Sequence, residues 1–265
     1  MKKLVSLLLA LAMALSAVSA FAATLDEVQA AGKIVMSSSP DFPPFENLVV
    51  DIGTGAVDYE GIEIDIMNIV AEKLGVTLDI KPTDFDFVLT DVANGAADIG
   101  VSGFTVTEHR KQNVLFSDVY YLAAQVVVVT EDSPIAAVAD LAGKKVAVQS
   151  GTTAEVLCLE AGYDMSAFKA NVDAELALVK VSVDAWVIDN TVAKRMVEEY
   201  NQTGGAQLKI LEEPLTEEPY AFAFAFGSET LVDAVNAVLG DLMASGDMAA
   251  IFEAYGEAYE VPAAQ

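Results

Sequence analysis

The sequence predicts an α/β fold with two lobes and a ligand cleft between them. Short apolar segments of strand length alternate along the chain with longer segments in which apolar residues recur at helical spacing. Such alternation is typical of parallel sheets flanked by helices. The alternation forms two series, and the acidic, proline-containing stretch 212–219 breaks it before the chain resumes. Two series joined by crossings imply two lobes, each with a mostly parallel sheet.

The amino terminus has the pattern of an export signal. Two lysines lie within residues 1–3, an apolar run extends from Leu4 to about Leu15, and Ala20-Phe21-Ala22 matches a cleavage site. A charged start, an apolar centre and small residues at the cleavage point are typical of a secretory signal peptide, which we predict over residues 1–22. A membrane anchor is the alternative, but no apolar run of spanning length follows. The predicted location is therefore periplasmic.

Composition excludes several kinds of function. The formal charge is −26, and removal of the signal with its two lysines would make it −28. Such a surface repels nucleic acid and anionic membranes. Cys158 and His109 are the only cysteine and histidine, so neither an intrachain disulfide nor a zinc site of the usual kinds is expected. With no Walker A, G-x-G-x-x-G or G-x-S-x-G motif present, we expect no cofactor and no metal.

The first series of elements is predicted from apolar runs and from helix-terminating residues. Gly75 and Asn94-Gly95 end two helical patterns, as glycine and asparagine commonly do. The segment 46–60 is rich in Gly, Asp and Val without a clear period and is predicted to be a loop or hairpin. The predicted strands are 33–37, 76–80 and 98–101, and the predicted helices are 66–74 and 87–93.

The second series continues the same alternation. Residues 212–219 are predicted to form the return crossing, and the alternating aromatic and alanine residues of 220–226 predict a half-buried strand. Phe45, Phe87 and Trp186 are predicted to pack in the core. The predicted strands are 125–129, 145–149, 184–188 and 209–211, and the predicted helices are 152–161, 173–181, 190–200, 229–244 and 248–255.

The segment 102–110 carries the clearest candidate for a binding turn. It follows the strand 98–101 and should lie at that strand's carboxyl end, where open α/β sheets bind ligands. Gly103 permits close approach of a backbone, and three hydroxyl side chains accompany it. Arg110 adds a planar set of donors suited to a carboxylate. The alternative is a helix-capping turn with a surface arginine.

This segment, Ser-Gly-x-Thr-x-Thr-x-x-Arg, resembles the carboxylate-binding segment of the polar amino-acid family of periplasmic solute-binding proteins, which serve ABC importers. Five more segments resemble the family in the same order, namely 40–46, 61–66, 116–121, 149–153 and 183–189. The resemblance implies the two-lobed periplasmic binding protein fold, with hinge closure on a small ligand. It also implies a division into lobe 1 (23–124 and 216–265) and lobe 2 (125–215).

The resemblance implies a site for both charged ends of an L-amino acid. Arg110, Thr105 and the amides at a helix amino terminus would bind the carboxylate. Asp189 and the Gly103 carbonyl would accept hydrogen bonds from the ammonium group. An ordinary helix N-cap is the alternative role at 152–153 and at Asp189. The predicted ligand-binding residues are Arg110, Thr105, Gly103, Asp189, Thr152, Thr153, Phe42, Phe85, Ser39, Gln149 and Ser102.

Four positions bear on the ligand's side chain. Phe42 and Phe85 align with positions where the family stacks on that side chain, although core packing is the alternative for both. Ser39 stands where relatives that take basic or amide side chains often carry an acid, which argues against a cationic ligand. Gln149 favours a polar uncharged or modestly apolar side chain. Phe87 replaces a usually small residue and would narrow the pocket.

The predicted function is that of a monomeric binding protein that captures an L-amino acid and delivers it to an ABC permease of the inner membrane. Two alternatives share the fold. One is a cyclohexadienyl dehydratase-like enzyme acting on prephenate or arogenate, which would need a general acid in the cleft, and the sequence offers no clear candidate. The other is a ligand-sensing module of a membrane receptor, which would use the same cleft.

Overall fold

The computed structural model describes residues 22–262, so the predicted signal peptide lies almost wholly outside the described residues. Helices and strands alternate along this part of the chain. Up to the first crossing they are α1 (Leu25–Ala31), β1 (Lys33–Ser38), β2 (Asp41–Phe42), β3 (Glu46–Val50), β4 (Val57–Glu60), α2 (Ile62–Leu74), β5 (Thr77–Pro82), α3 (Phe85–Ala93), β6 (Ile99–Gly100), β7 (Leu115–Phe116) and β8 (Tyr121–Ala123). The elements that follow are β9 (Gln125–Thr130), β10 (Lys145–Gln149), α4 (Thr153–Glu160), β11 (Asp164–Phe168), α5 (Asn171–Val179), β12 (Ala185–Asp189), α6 (Asn190–Asn201), β13 (Leu208–Ile210), β14 (Glu218–Tyr220), β15 (Ala223–Phe224), α7 (Glu229–Ser245) and α8 (Asp247–Ala254).

Two five-stranded sheets organise the molecule. Their strand orders are β5-β1-β6-β15-β7 and β11-β10-β12-β9-β13. In each sheet one strand runs against its neighbours, β15 in the first and β9 in the second. Each reversed strand comes soon after a crossing, and the crossing strands β8 and β14 pair antiparallel with each other. The remaining strands of each sheet run in a common direction, which confirms the mostly parallel sheets predicted from the sequence.

The topology gathers loops at one edge of each sheet. The carboxyl ends of parallel strands share an edge, and the segments after β1, β6, β10 and β12 all leave their sheets there. The reversed strand β9 contributes its amino-terminal residue to the same edge, because Gln125 pairs in register with Asp189 of β12. Each lobe therefore presents such an edge to the other, and in the second sheet the edge includes a residue from a strand of the opposite direction.

Helix α2 is set against the hairpin by a glycine. Gly61 precedes the helix with a φ of 138°, and a Cβ at this position would lie 2.2 Å from the carbonyl oxygen of Phe45. Only glycine permits that approach. The first two amides of the helix then donate to the carbonyls of Pro44 and Phe45. The hairpin and the helix amino terminus thus form one unit, and the hairpin predicted between 46 and 60 is confirmed.

The two carboxyl-terminal helices pack on α2 and contribute buried apolar residues such as Leu231, Leu239 and Phe252. Within residues 22–262 no single helix is long and apolar enough to span a membrane, although α7 and α8, which meet at an angle of 81°, reach that length and composition together.

The core prediction for Phe87 is wrong. Phe85 and Val88 form the buried face of α3, whereas Phe87 is 50% exposed. Its ring lies under the ammonium of Lys169, with Nζ 5.9 Å from the centroid. Because Phe87 points away from the sheet edge, it does not narrow a pocket there. The core predictions for Phe45 and Trp186 are confirmed, since neither side chain is exposed.

The prediction of one half-buried strand over 220–226 is also wrong. The chain forms two short strands here, β14 and β15, and residues 220–225 are buried throughout. The reason is position, because β15 lies inside the first sheet between β6 and β7 and is covered on both faces. Strand β11, at the edge of the second sheet, has no counterpart among the predicted elements.

Candidate functional site

A narrow cavity lies between the lobes at the shared sheet edge. Its volume is about 30 Å³, room for one or two water molecules but not for an amino acid. A larger groove of about 850 Å³ lies between the segment 106–119 and α7, but its walls are mostly apolar and bring no set of charged groups together. Nine predicted site residues line the narrow cavity, namely Arg110, Thr105, Gly103, Asp189, Thr152, Thr153, Phe42, Phe85 and Gln149.

Ser39 and Ser102, the other two predicted site residues, lie behind the cavity wall. The Ser102 hydroxyl donates to Oε1 of Glu46 at 2.8 Å and accepts from the Ser39 amide at 3.1 Å. The Ser39 hydroxyl donates to Oδ1 of Asp41 at 2.9 Å. Both side chains therefore have protein partners, and neither lines the cavity.

Arg110 enters the cavity from lobe 1. Its side chain is buried, and its two terminal nitrogens donate to backbone carbonyls, Nη1 to Thr105 at 2.9 Å and Nη2 to Gly151 at 3.1 Å. Phe85 and Phe104 contact the guanidinium, whose carbon lies 5.6 and 5.2 Å from their ring centroids. No carboxylate of residues 22–262 forms an ion pair with it. The site therefore contains a buried cation without a paired anion.

Burial lowers the pKa of Arg110 to about 10, while the negative charges of Glu218 and Asp189 oppose that shift. Arg110 thus remains protonated at neutral pH. Glu218 lies in crossing strand β14, is itself buried, and accepts hydrogen bonds from the hydroxyls of Thr105 at 2.5 Å and Thr153 at 2.9 Å. Sequence analysis missed Glu218, because the crossing has no periodic pattern.

Asp189 faces the cavity from lobe 2. It occupies the N-cap position of α6, yet its side chain makes no capping hydrogen bond and instead accepts from the hydroxyl of Tyr220. The alternative of an ordinary N-cap is thereby contradicted. Burial raises the pKa of Asp189 to about 7, the charge of Glu218 adds to the rise, and Tyr220 and Arg110 oppose it.

Thr152 and Thr153 place the amino terminus of α4 at the cavity. Thr152 is the N-cap of this helix, since its hydroxyl accepts from the Glu155 amide at 3.2 Å and also donates to the Gln149 carbonyl at 2.7 Å. The N-cap alternative is thus correct for Thr152 itself. A helix amino terminus that opens onto a cavity nevertheless presents free amides to an anion.

Gln125 is a cavity residue that sequence analysis missed. It is 1% exposed, and its Nε2 donates to the Thr153 hydroxyl at 2.7 Å. Its Oε1 is buried without a hydrogen-bond partner in residues 22–262. Buried acceptors are rarely left unpaired, and each one calls for an explanation. The sequence alone carries no signal for Gln125. Its place beside Asp189 follows from the register of β9 with β12, which only the structure provides.

Amide groups close the cavity beside Phe42. Asn171 Nδ2 donates to Oε1 of Gln149 at 3.0 Å, and Gln149 Nε2 donates to the Lys169 carbonyl at 3.0 Å. The Asn171 backbone amide donates across the cleft to Oδ2 of Asp41 at 2.7 Å. Asn171, another residue missed by the sequence analysis, therefore joins the two lobes.

No group of metal-ligating side chains occurs in the part of the chain that the structure describes. Cys158 is buried in a hydrophobic cluster of lobe 2, and burial raises the pKa of its thiol to about 11. A thiol in that state is a poor nucleophile.

Comparison with known proteins gives a consistent result. A sequence model of the bacterial extracellular solute-binding proteins, family 3, matches residues 34–258. The arginine-binding extracellular protein ArtP of Bacillus subtilis is 30% identical over 220 residues, which is 82% of this chain and 83% of that protein. A mutant of ArgBP from T. maritima superposes with a TM-score of 0.80 at 34% identity, covering 88% of this chain and 98% of that one.

A further solved structure is AncCDT-1, an ancestral amino-acid-binding protein and precursor of cyclohexadienyl dehydratase. Its TM-score is 0.78 at 31% identity, with 88% of this chain and 99% of that chain covered. These similarities confirm the two-lobed fold predicted from the sequence.

The raised pKa of Asp189 predicts a pH-dependent stability. The folded state holds the Asp189 proton more tightly than the unfolded state, so the free energy of unfolding of the ligand-free protein should fall as pH rises from about 4 to about 7. Asp189→Asn should remove roughly 2–4 kcal/mol of that fall. Urea denaturation across this pH range measures the difference.

Glu175→Gln is the matched control, because burial raises the pKa of Glu175 to about 7 at a different position. Glu175→Gln should remove a separate part of the pH-dependent fall in the free energy of unfolding. Identical pH profiles for the wild type and Asp189→Asn would contradict the assignment.

Proposed function

Because the chain belongs to the bacterial extracellular solute-binding proteins of family 3, we propose that it captures a free L-amino acid between its lobes and delivers it to an ABC importer. The observation that carries this proposal is the buried guanidinium of Arg110, which forms no ion pair with a carboxylate of residues 22–262 and shares the cavity with Asp189 of the other lobe. A zwitterion supplies the two missing charges at once. The place of action is outside the cytoplasm, and the protein acts as a monomer on the periplasmic side of its permease.

The ligand carboxylate binds at Arg110. The guanidinium is already held in place by carbonyls and aromatic rings, so little ordering is required when an anion arrives. The backbone amide of Thr105 and the free amides of the α4 amino terminus, at Thr152 and Thr153, add donors. A carboxylate in this position converts the uncompensated charge of Arg110 into a buried, hydrogen-bonded ion pair.

The ligand ammonium binds at Asp189, the Gly103 carbonyl and Gln125. Asp189 loses its proton when a cation lies beside it, because an adjacent positive charge favours the ionised carboxylate. The ammonium offers three donors, and the unpaired Oε1 of Gln125 provides an acceptor next to Asp189. This arrangement explains why a buried amide oxygen is left without a protein partner.

The ligand side chain lies between Phe42 and Phe85 and extends towards the amides of Gln149 and Asn171. Asp41 lies behind those amides and holds a negative charge two residues after Ser39. We propose a polar side chain, and we keep the expectation from Ser39 that an uncharged one binds best.

Binding requires the lobes to separate, because the cavity between them is too small for an amino acid, and the lobes would then close around the ligand less far than they do in this structure. Lobe 1 (23–124 and 216–265) and lobe 2 (125–215) would rotate about the paired crossing strands β8 and β14. In the closed form Arg110 donates to the Gly151 carbonyl of the opposite lobe at 3.1 Å. Ligand binding would replace or supplement such contacts and stabilise closure.

We propose binding without turnover. A dehydratase of prephenate-like acids needs a proton donor at its substrate, and Asp189, with its pKa of about 7, is the cavity group closest to that description. Its raised pKa arises from burial in the ligand-free closed form, and a bound ammonium would reverse it. Incubation with prephenate and arogenate should give no product, whereas measurable turnover would favour the enzyme.

A binding screen tests the function directly. We expect at least one of the twenty L-amino acids to raise the thermal midpoint and to bind in titration calorimetry, because both charged ends find complementary groups. The methyl ester and the N-acetyl derivative of the best ligand are matched controls, and each should bind far more weakly. Failure of every amino acid to bind would remove the proposal, and tightest binding of arginine or lysine would overturn the expectation from Ser39.

Replacement of Arg110 should remove the carboxylate interaction. Arg110→Ala leaves a ligand carboxylate buried without a cation and should cost about 3–5 kcal/mol, at least about a hundredfold in affinity. Calorimetry measures the affinity, and circular dichroism checks the fold. Arg195→Ala is the control, because Arg195 is half exposed and pairs with Glu199 on the surface. An unchanged dissociation constant in Arg110→Ala would exclude the carboxylate clamp.

Gln125→Leu keeps the approximate volume of the side chain but removes its acceptor, together with the hydrogen bond that Nε2 donates to the Thr153 hydroxyl. If Oε1 of Gln125 accepts from the ligand ammonium, affinity should fall about tenfold. Gln202→Leu, at an exposed position, should leave affinity unchanged. Equal affinities of Gln125→Leu and the wild type would show that the unpaired oxygen does not serve the ligand.

A further inference from the structure

Two fully buried glutamates lie behind the turn that carries Gly103. Glu46 of β3 and Glu63 of α2 are both 0% exposed, and their carboxyl groups lie within hydrogen-bonding reach of each other. Neither has a lysine or arginine partner in residues 22–262. Two ionised carboxylates in contact would repel each other in an interior that has also removed their hydration. One of the two therefore carries a proton.

The hydrogen bonds identify Glu63 as the ionised member. It accepts from the Gly103 amide, which lies 3.1 Å from both of its carboxylate oxygens, and from the hydroxyl of Tyr120. Glu63 also lies in the first turn of α2, where the helix dipole favours a negative charge. Three independent features therefore stabilise an anion at this one position.

Glu46 has the opposite environment. Its Oε1 accepts one bond, from the Ser102 hydroxyl at 2.8 Å. Its Oε2 is buried and has no partner among the described residues when the group is treated as an acceptor. A proton on the Glu46 carboxyl group turns it into a donor, and the side chains of Glu46 and Glu63 are close enough to share a hydrogen bond. Protonation thus resolves the unpaired oxygen and the like-charge contact together.

We propose that Glu46 is a neutral carboxylic acid that donates a hydrogen bond to the Glu63 carboxylate, and that this acid–carboxylate pair positions the Gly103 turn. Burial and the charge of Glu63 raise the pKa of Glu46 well above its ordinary value, and the charge of Asp41 adds to the rise. Burial also raises the pKa of Glu63, but hydrogen bonds from Glu46, Tyr120 and Gly103 oppose that rise.

The pair acts on the ligand site through the backbone. Gly103 adopts a φ of +56°, and a Cβ there would lie 2.6 Å from Cε1 of Phe42, so the turn fits its place closely. Glu63 holds the Gly103 amide from behind, and Glu46 holds the adjacent Ser102. Tyr120, the third partner, directly precedes crossing strand β8. The expected effect on affinity rests on the proposed function, in which the Gly103 carbonyl accepts a hydrogen bond from the ligand. The shared proton between Glu46 and Glu63 does not depend on that function.

Two isosteric variants separate the members of the pair. Glu46→Gln retains a donor towards Glu63 and an acceptor towards Ser102, so it should preserve the thermal midpoint and keep affinity within about twofold. Glu63→Gln turns an amide donor towards the Gly103 N–H, so it should lower the midpoint and weaken amino-acid binding at least about tenfold. Glu72→Gln, on the exposed face of the same helix, is the control for loss of one charge and should change neither quantity.

Infrared spectroscopy of the ligand-free protein detects the proton itself. At about pH 9, Asp189 and Glu175 are ionised, since the pKa of each is about 7. The wild type should retain the carbonyl band of a protonated carboxylic acid, and Glu46→Gln should lack it. Absence of the band in the wild type, its persistence in Glu46→Gln, or equal destabilisation by both variants would overturn the proposal. These results stand even if no amino acid binds, so the pair and the proposed function are tested separately.

Discussion

Burial between the two lobes removes the guanidinium of Arg110 from water, and no carboxylate of residues 22–262 forms an ion pair with it. The groups that surround the guanidinium must therefore offset the free-energy cost of a buried, unpaired charge. Two backbone carbonyls and two aromatic faces hold the cation. Such contacts replace part of the lost hydration, but they do not neutralise the charge. Glu218 and Asp189 act from a greater distance and keep Arg110 protonated. Groups of the protein itself therefore hold the guanidinium in place, and in the proposed function an anion gains most by binding beside Arg110.

The opposing charge sits on the other lobe, which couples recognition to movement. Asp189 ends a strand of the second sheet. Burial makes the ionised form of its carboxyl group unfavourable and so raises its pKa. Several contacts join the lobes, and among them the exposed pair of Lys169 and Asp84 adds little to stability. The buried bond from Asn171 to Asp41 contributes more. A ligand with both charges satisfies each lobe only when the cleft is shut.

The sequence predicts the cleft edge well because strand direction fixes where loops emerge. The positions of Asp189 and the α4 amino terminus follow from their place at the carboxyl ends of strands. Arg110 lies further beyond the end of β6 and was predicted from the turn segment 102–110 and its resemblance to the family. Gln125 was beyond reach, since one glutamine before an apolar run has no pattern, and its importance arises from antiparallel register with Asp189. The core prediction for Phe87 failed because of helix geometry. Phe87 lies two residues after Phe85 on α3 and therefore points away from the buried face that carries Phe85.

The charge composition explains why buried carboxyl groups of this protein keep a proton instead of pairing with a lysine or an arginine. The chain has 40 acidic residues and only 14 lysines and arginines, so its buried acids cannot all be offered a basic partner. Several lysines form exposed ion pairs on the surface and do not reach the buried acids. A buried carboxyl group then avoids the cost of an isolated charge by keeping its proton. Glu46 can do so against Glu63, and Asp189 does so in part. Arg110 is the exception, a buried cation with which no carboxylate of residues 22–262 forms an ion pair, and in the proposed function it is available to an incoming carboxylate.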